Sequence, residues 1–131
     1  MAVTIPVKTD EHTAFVDITR QIAAEIPGGF SGGCLIFCQH TTAGLTINEN
    51  ADPDVVSDLQ KELERLVPWD NARFRHMEGN SAAHMKSSLM GPSLTVPVEA
   101  GKLILGTWQS IYFCEFDGPR QRKVSLQFLA V

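Results

Sequence analysis

The sequence predicts an α+β fold with a mostly antiparallel sheet. Two observations lead there. Short segments with strand-like hydrophobicity, six or seven of them, outnumber three with helical spacing, and the last three strand-like segments follow one another through tight turns. A chain of 131 residues fits one domain, spanning 1–131, and is long enough to bury a core without disulfides or a structural metal.

The elements follow in order. Val3, Ile5 and Val7 alternate with polar residues as in a half-buried strand, and Pro6, which has no N–H, places it at a sheet edge. A short strand at Ala14–Val16 leads into a helix capped by Asp17 or Thr19, with Ile18, Ile22 and Ile26 on one face and Pro27-Gly28-Gly29 at its end. Gly33–Gln39 is a continuous apolar run, which predicts a central strand covered on both faces. Gly44–Ile47 is the next strand. Asp52-Pro53-Asp54 combines a capping acid, proline at the first helical position and negative charge in the first turn. The helix it opens presents Val55, Val56, Leu59, Leu63, Leu66 and Val67 on one face and stops at Pro68.

Trp69–Gly79 is polar and reads as a loop. Asn80 or Ser81 then caps a short helix that Gly91-Pro92 ends. Leu94, Val96 and Val98 alternate; Glu99-Ala100-Gly101 turns the chain; Leu103–Phe116 reads as one long strand with Trp108 inside it; and a last strand alternates through Val124, Leu126, Phe128 and Ala130. The three C-terminal strands read as hairpin partners. They carry more apolar surface than two long helices can cover, which predicts packing of sheets between subunits.

Composition narrows the function. Hydrophobic residues make up 44% and the formal net charge is −4, with no run of Lys and Arg, so a nucleic-acid partner is not expected. No apolar run approaches the roughly 18 residues of a membrane span, and the start lacks the basic and apolar pattern of a signal peptide, so a cytoplasmic protein without a membrane partner is expected. Cys34, Cys38 and Cys114 lie in apolar runs and read as reduced, buried thiols; Cys38 and His40 share a strand face, but a core thiol explains Cys38 better than a thiol–imidazole pair.

Three polar segments carry candidate chemistry. His40 ends a buried strand in QHTTAG, His76 lies in the loop RFRHMEGN, and His84 lies in the short helix. Neutral imidazoles are common ligands of zinc, yet this spacing matches no zinc-finger or helical His-x-x-x-His pattern and by itself reads first as three separate surface or capping histidines, a reading their polar neighbours shift toward a site. NENADPD sets Asn48, Asn50 and Asp52 after a strand; turn and cap chemistry accounts for Asp52 in part and for the two asparagines less well. In HMEGNSAAH, Glu78 is a candidate base or ligand, and Asn80 and Ser81 open a helix whose free N–H groups suit an anion. Thr41 and Thr42 add hydroxyls, and Arg120 and Arg122, in a turn of solvated charge, are within reach of an anionic ligand. The sequence holds no nucleophile elbow, phosphate-binding loop or dinucleotide fingerprint.

HTTAGLTINENADPDV, HMEGNSAAHMKSSLMGPS and LILGTWQSIYFCEFDGPRQRKV closely resemble the YjbQ-like family, over essentially the whole chain from Val3 to Leu129. The resemblance implies an α/β sandwich that trimerises through orthogonally packed sheets. It implies a site near the subunit interface, built from His40-Thr41-Thr42 and from Gly79-Asn80 with His84, with His76 as the loop histidine. It also implies a weak thiamin phosphate synthase activity, which joins a pyrimidine pyrophosphate to a thiazole phosphate and expels pyrophosphate. The expected function is therefore a metal-assisted enzyme on a small phosphorylated substrate, the alternative being a non-catalytic metal- or ligand-binding homotrimer. The expected metal is zinc, with magnesium second, held by His40, His76 and His84. The expected catalytic groups are His84, Glu78, Asp52, Asn48 and Asn50, with Thr41, Thr42, Asn80, Ser81 and Arg120 binding substrate.

Overall fold

A computed structural model describes residues 2–131. It contains strands β1 (Ala2–Lys8), β2 (Ala14–Asp17), β3 (Gly32–Cys38), β4 (Ala43–Glu49), β5 (Ser93–Glu99), β6 (Lys102–Leu103), β7 (Gln109–Glu115) and β8 (Gln121–Ala130), with helices α1 (Thr19–Ala24), α2 (Pro53–Leu66) and α3 (Ser81–Met90). The strands form two sheets, ordered β1-β8-β3-β5-β6 and β2-β7-β4, and all their pairings are antiparallel. The fold is thus α+β with antiparallel sheets, as the surplus of strand-like segments and the turns between the C-terminal ones predict.

The two sheets face each other across the main core. Cys34, Ile36, Val96, Val124 and Leu126 from the larger sheet meet Leu45, Ile111 and Phe113 from the smaller one, and Ile18 and Ile22 add the α1 end. The opposite face of the smaller sheet offers Tyr112, Cys114 and Phe116 to Leu63 of α2 and Ala83 of α3. Successive residues of a strand point to opposite faces, so β7 serves both cores.

Three expectations change here. The doubly covered strand is β7, not β3: Leu35 and Phe37 of β3 point outward, and Phe37 remains 44% exposed. Leu103–Phe116 is not one strand, because the chain leaves β6 and turns through Gly106, whose N–H donates to Gln109 Oε1 (2.7 Å); Trp108 lies in that turn, 61% exposed. Of the expected C-terminal hairpins, β5 does pair with β6 across the Glu99-Ala100-Gly101 turn, but β7 and β8 are not partners, since β7 sits between β2 and β4 while β8 sits between β1 and β3. Hydrophobic periodicity reports which residues are buried, not which strand lies alongside.

Local rules place the helices. Asp17 Oδ1 accepts from the Thr19 N–H (3.0 Å), and Asp52 Oδ1 accepts from the Asp54 N–H (2.9 Å) with Pro53 starting α2. The apolar face of α2 is only partly covered, with Leu66 57% exposed. Lys86 of α3 is buried and donates to Glu64 of α2 (2.6 Å), tying the two helices together. No helix among the described residues is long and apolar enough to cross a membrane.

The end of α3 presses directly on β4. The Leu45 N–H donates to Gly91 O (3.0 Å), and a Cβ on Gly44 would meet Met90 Cβ at 2.8 Å and Gly91 O at 3.0 Å. Glycine is required by this approach. We expect Gly44→Ala to lower stability by about 1–3 kcal/mol, read by urea denaturation, because α3 must lift from the sheet; an unchanged midpoint would show that the contact is not close in solution.

Candidate functional site

Three segments meet at one end of the sandwich: the turn after β3, the residues opening α3, and the turn between β7 and β8. A buried ion pair holds the first to the third, and Asn80 joins α3 to the third through Asp117. Arg122 Nε donates to Glu115 Oε1 (2.8 Å), and a second guanidinium nitrogen donates to Glu115 Oε2. That nitrogen also donates to Thr42 Oγ1 (2.9 Å), while Thr9 Oγ1 donates to Glu115 Oε1 (2.7 Å) and the Asp117 N–H to Oε2 (3.1 Å). The Glu115 side chain has no exposed surface. Burial by itself would raise its carboxyl, but the hydrogen bonds from Arg122, Thr9 and the Asp117 N–H outweigh it and hold the group below the usual carboxylate range.

His40 stands beside this pair. β3 pairs with β8 as far as Cys38 opposite Val124 and then turns away. The imidazole takes the next place along β8: its Nε2 accepts the Lys123 N–H at 3.0 Å. A neutral imidazole has one lone pair, so this bond puts the ring proton on Nδ1 and leaves no free lone pair for a metal. Burial, then the Arg122 guanidinium, lowers the His40 pKa from its ordinary value. The expectation of His40 as a metal ligand is thus corrected for this geometry: the imidazole is a neutral Nδ1–H donor, and a structural cap on the sheet.

His84, on the first turns of α3, is half-buried, and its ring lies edge-on to that of His76, with centroids 5.6 Å apart. His76 Nε2 is 3.9 Å from Glu78 Oε1. Asn80 is the residue before α3, yet its side chain makes no cap bond to the helix. Its amide instead donates to Glu78 Oε2 (3.0 Å) and Asp117 Oδ2 (2.9 Å), which leaves Oδ1 buried with no donor among the described residues. Arg120 is fixed by Asp117, through Nε to the carbonyl (2.8 Å) and through a guanidinium nitrogen to Oδ2 (3.0 Å).

These segments enclose an open, polar cavity of about 300 Å³. His40, Thr41, Thr42, Glu78, Asn80, His84 and Arg120, all candidates from the sequence, line it with Gln39 and Arg122. His76 flanks it through His84, and Ser81 opens α3 without lining it. No three His, Cys, Asp or Glu side chains among the described residues stand together as a ready metal site.

Asn48, Asn50 and Asp52 are not brought to this cavity, a correction to the expectation that they share in its chemistry. Asn48 Oδ1 accepts from the Glu49 N–H (2.8 Å), Asn50 Nδ2 donates to Ser110 Oγ (2.6 Å), and Asp52 caps α2. The reason is strand length: the seven residues of β4 separate the His40 turn from this segment by about 20 Å. Asn48 lines a different groove, with Phe15, Leu59, Leu63, Leu66 and Met90.

The ion pair is the part of the site that sequence reasoning misses. Its signal is present, since Glu115 interrupts the apolar run IYFCEF and Arg122 keeps the alternation of Val124 and Leu126, a charge at a core-facing position. The cysteines are free and buried, with burial pushing Cys34 up to about 11 and raising Cys38 and Cys114. Cys38 packs in the core with Sγ 3.5 Å from Ala43 O, rather than pairing with the His40 ring.

The lowered His40 pKa has a definite sign. Above the ordinary imidazole value of about 6.5, both folded and unfolded chains hold the ring neutral, and its contribution to stability is complete. As pH falls below that value the unfolded chain takes up the proton first, so the contribution is lost toward the lower, folded pKa. Nitrogen-15 NMR should show His40 as the Nδ1–H tautomer at neutral pH, titrating below about 6.5. An Nε2–H tautomer would refute the cap.

Comparison with known proteins places this architecture. The profile of the family described as UPF0047 protein YjbQ-like matches residues 3–131. UPF0047 protein YugU of Bacillus subtilis is 53% identical over 131 residues, covering 98% of this chain and 99% of that protein. UPF0047 protein YjbQ of Salmonella typhimurium is 39% identical over 122 residues, covering 88% and 87%. Among solved structures, a conserved hypothetical protein of Thermus thermophilus superposes with a TM-score of 0.93 at 45% identity, covering 97% of this chain and 99% of that one. A YjbQ/UPF0047 family protein of Clostridium acetobutylicum does so with a TM-score of 0.90 at 48% identity and the same coverage. The chain belongs to the UPF0047, YjbQ-like family.

Proposed function

We propose that this chain is an enzyme acting on a small phosphorylated substrate in the cavity between His40, His84 and Arg120. The observation that supports it is the convergence of these groups, from three separate segments, on one polar cavity. Arg120, oriented by Asp117 but half-exposed, offers its remaining N–H groups to phosphate oxygens. His40 Nδ1–H and the exposed Thr41 hydroxyl add neutral donors. Glu78, which lines the same cavity, is the group proposed to carry a proton to or from the reacting oxygen on its second carboxylate oxygen, His84 being committed to the metal described next.

A divalent metal, zinc first and magnesium second, would be held by His76, His84 and Glu78. Their rings and carboxylate are neighbours, and the exposed surface around His76 and Glu78 leaves both side chains free to rotate toward an ion. Such an ion would supply positive charge to stabilise a departing pyrophosphate. Thiamin phosphate formation is the reaction to assay first. The deciding experiment is His84→Ala. We expect turnover to fall by about 10²–10⁴-fold, with lost metal and an unchanged thermal midpoint. A lowered midpoint with metal retained would make His84 structural. Unchanged turnover in the folded variant would leave a metal- or ligand-binding protein as the better reading.

We also propose a cytoplasmic homotrimer. Three free cysteines suit a reducing compartment. The outer face of the larger sheet carries Leu35, Phe37 and Leu129 among polar residues such as Thr95, Ser125 and Gln127, and is covered by no described element. Light scattering should give three times the chain mass, and Phe37→Asp should shift it toward one; a monomeric parent at micromolar concentration would refute the assembly.

A further inference from the structure

The polar cavity has a neighbour. A second cavity of about 310 Å³ is lined by His40, Thr41, His84, Ser87, Ser88 and Pro92. It shares His40, Thr41 and His84 with the first. Those three residues border both cavities, as the waist between two lobes would. The lobes differ in chemistry. Glu78, Arg120 and Arg122 line the first, whereas the second offers two hydroxyls and a proline ring and no carboxylate, lysine or arginine.

We infer that the site is bipartite: the first lobe takes the phosphate of a phosphate ester, and the second takes the uncharged group esterified to it. This rests on the proposed phosphate-binding function and names the substrate class more closely. Each cavity alone lies at the small end of ligand pockets, roughly 300–1,000 Å³, so an ester of this kind needs both. The phosphate is drawn to the guanidinium side, because an anion in the second lobe would lose its water without gaining a cation. The bond joining the two groups then lies at the waist, between the two imidazoles. The side chains of α3 that face the second lobe act as specificity determinants and are not catalytic residues.

Ser88 allows a test that spares the first lobe. It is exposed, and its hydroxyl bonds only the carbonyl of His84 on its own helix (3.0 Å). Two probes of equal charge, methyl phosphate and phenyl phosphate, are titrated calorimetrically into the whole protein. The native chain should bind phenyl phosphate about tenfold tighter, the worth of burying part of a ring. Ser88→Phe, which fills the second lobe, should abolish that preference while leaving methyl phosphate within about twofold. Ser88→Leu, a smaller obstruction and a safeguard should the larger one not fold, should reduce it. Arg120→Gln should weaken both probes and keep their ratio. Equal binding of the two probes by the native chain, or an unchanged ratio in the folded Ser88 variants, overturns the second lobe and leaves the phosphate site standing. Binding of neither probe overturns both.

Discussion

Glu115 and Arg122 put opposite charges between two apolar sheets, and the arrangement of the site follows from how those charges are satisfied. A buried pair of this kind gains little net stability, because desolvating both ions offsets most of their attraction. Its consequence is geometric. Glu115 ends β7 in the smaller sheet and Arg122 begins β8 in the larger one, so the pair fixes one sheet against the other at that end. The lone pairs and protons left over reach Thr9, Thr42 and the Asp117 backbone. Each of these bonds positions a segment that also lines the cavity or borders it. Removing one partner would leave an uncompensated charge, which typically costs about 3–5 kcal/mol, so the segments are held together by necessity.

His40 shows how a structural constraint can prepare a chemical group. β3 ends short of β8, a backbone N–H is left over, and the imidazole accepts it. The bond selects the tautomer, and burial with the nearby guanidinium keeps the ring neutral. The same side chain that completes the sheet also lines the cavity. Asn80 makes the opposite exchange. It gives up the cap of α3, donates to two carboxylates instead, and leaves its own oxygen buried without a donor among the described residues. Such an atom costs about 1–3 kcal/mol, which a residue serving only to cap the helix would not incur.

The layering of the molecule has a further consequence. The smaller sheet is covered on both faces, by the larger sheet and by α2 with α3. Among the described residues the larger sheet is covered on one. Its exposed face carries apolar side chains from the run that reads, in sequence, as a doubly buried strand. Burial of that face by another copy of the chain would reconcile the run with the fold.

Much of the fold was legible in the residues alone because its causes are local. The cap at Asp52-Pro53-Asp54, the stops at Pro68 and Gly91-Pro92, and the alternation of β1, β5 and β8 each depend on a few neighbours in the chain. The family motifs likewise named HTT and GNSAAH as parts of a site, and these segments do share a cavity. What the sequence by itself determined was therefore most of the element types, the apolar positions that alternate into the core and the segments of polar chemistry. Only the tertiary structure decided that β7 and β8 lie in different sheets, that β4 carries Asn48, Asn50 and Asp52 away from the histidines, and that the His40 lone pair is already taken. Those facts depend on strand order and on contacts such as Glu115 with Thr9, which are 106 residues apart in sequence. Periodicity along a strand carries no information about its neighbour, since every antiparallel partner with an apolar face satisfies it equally.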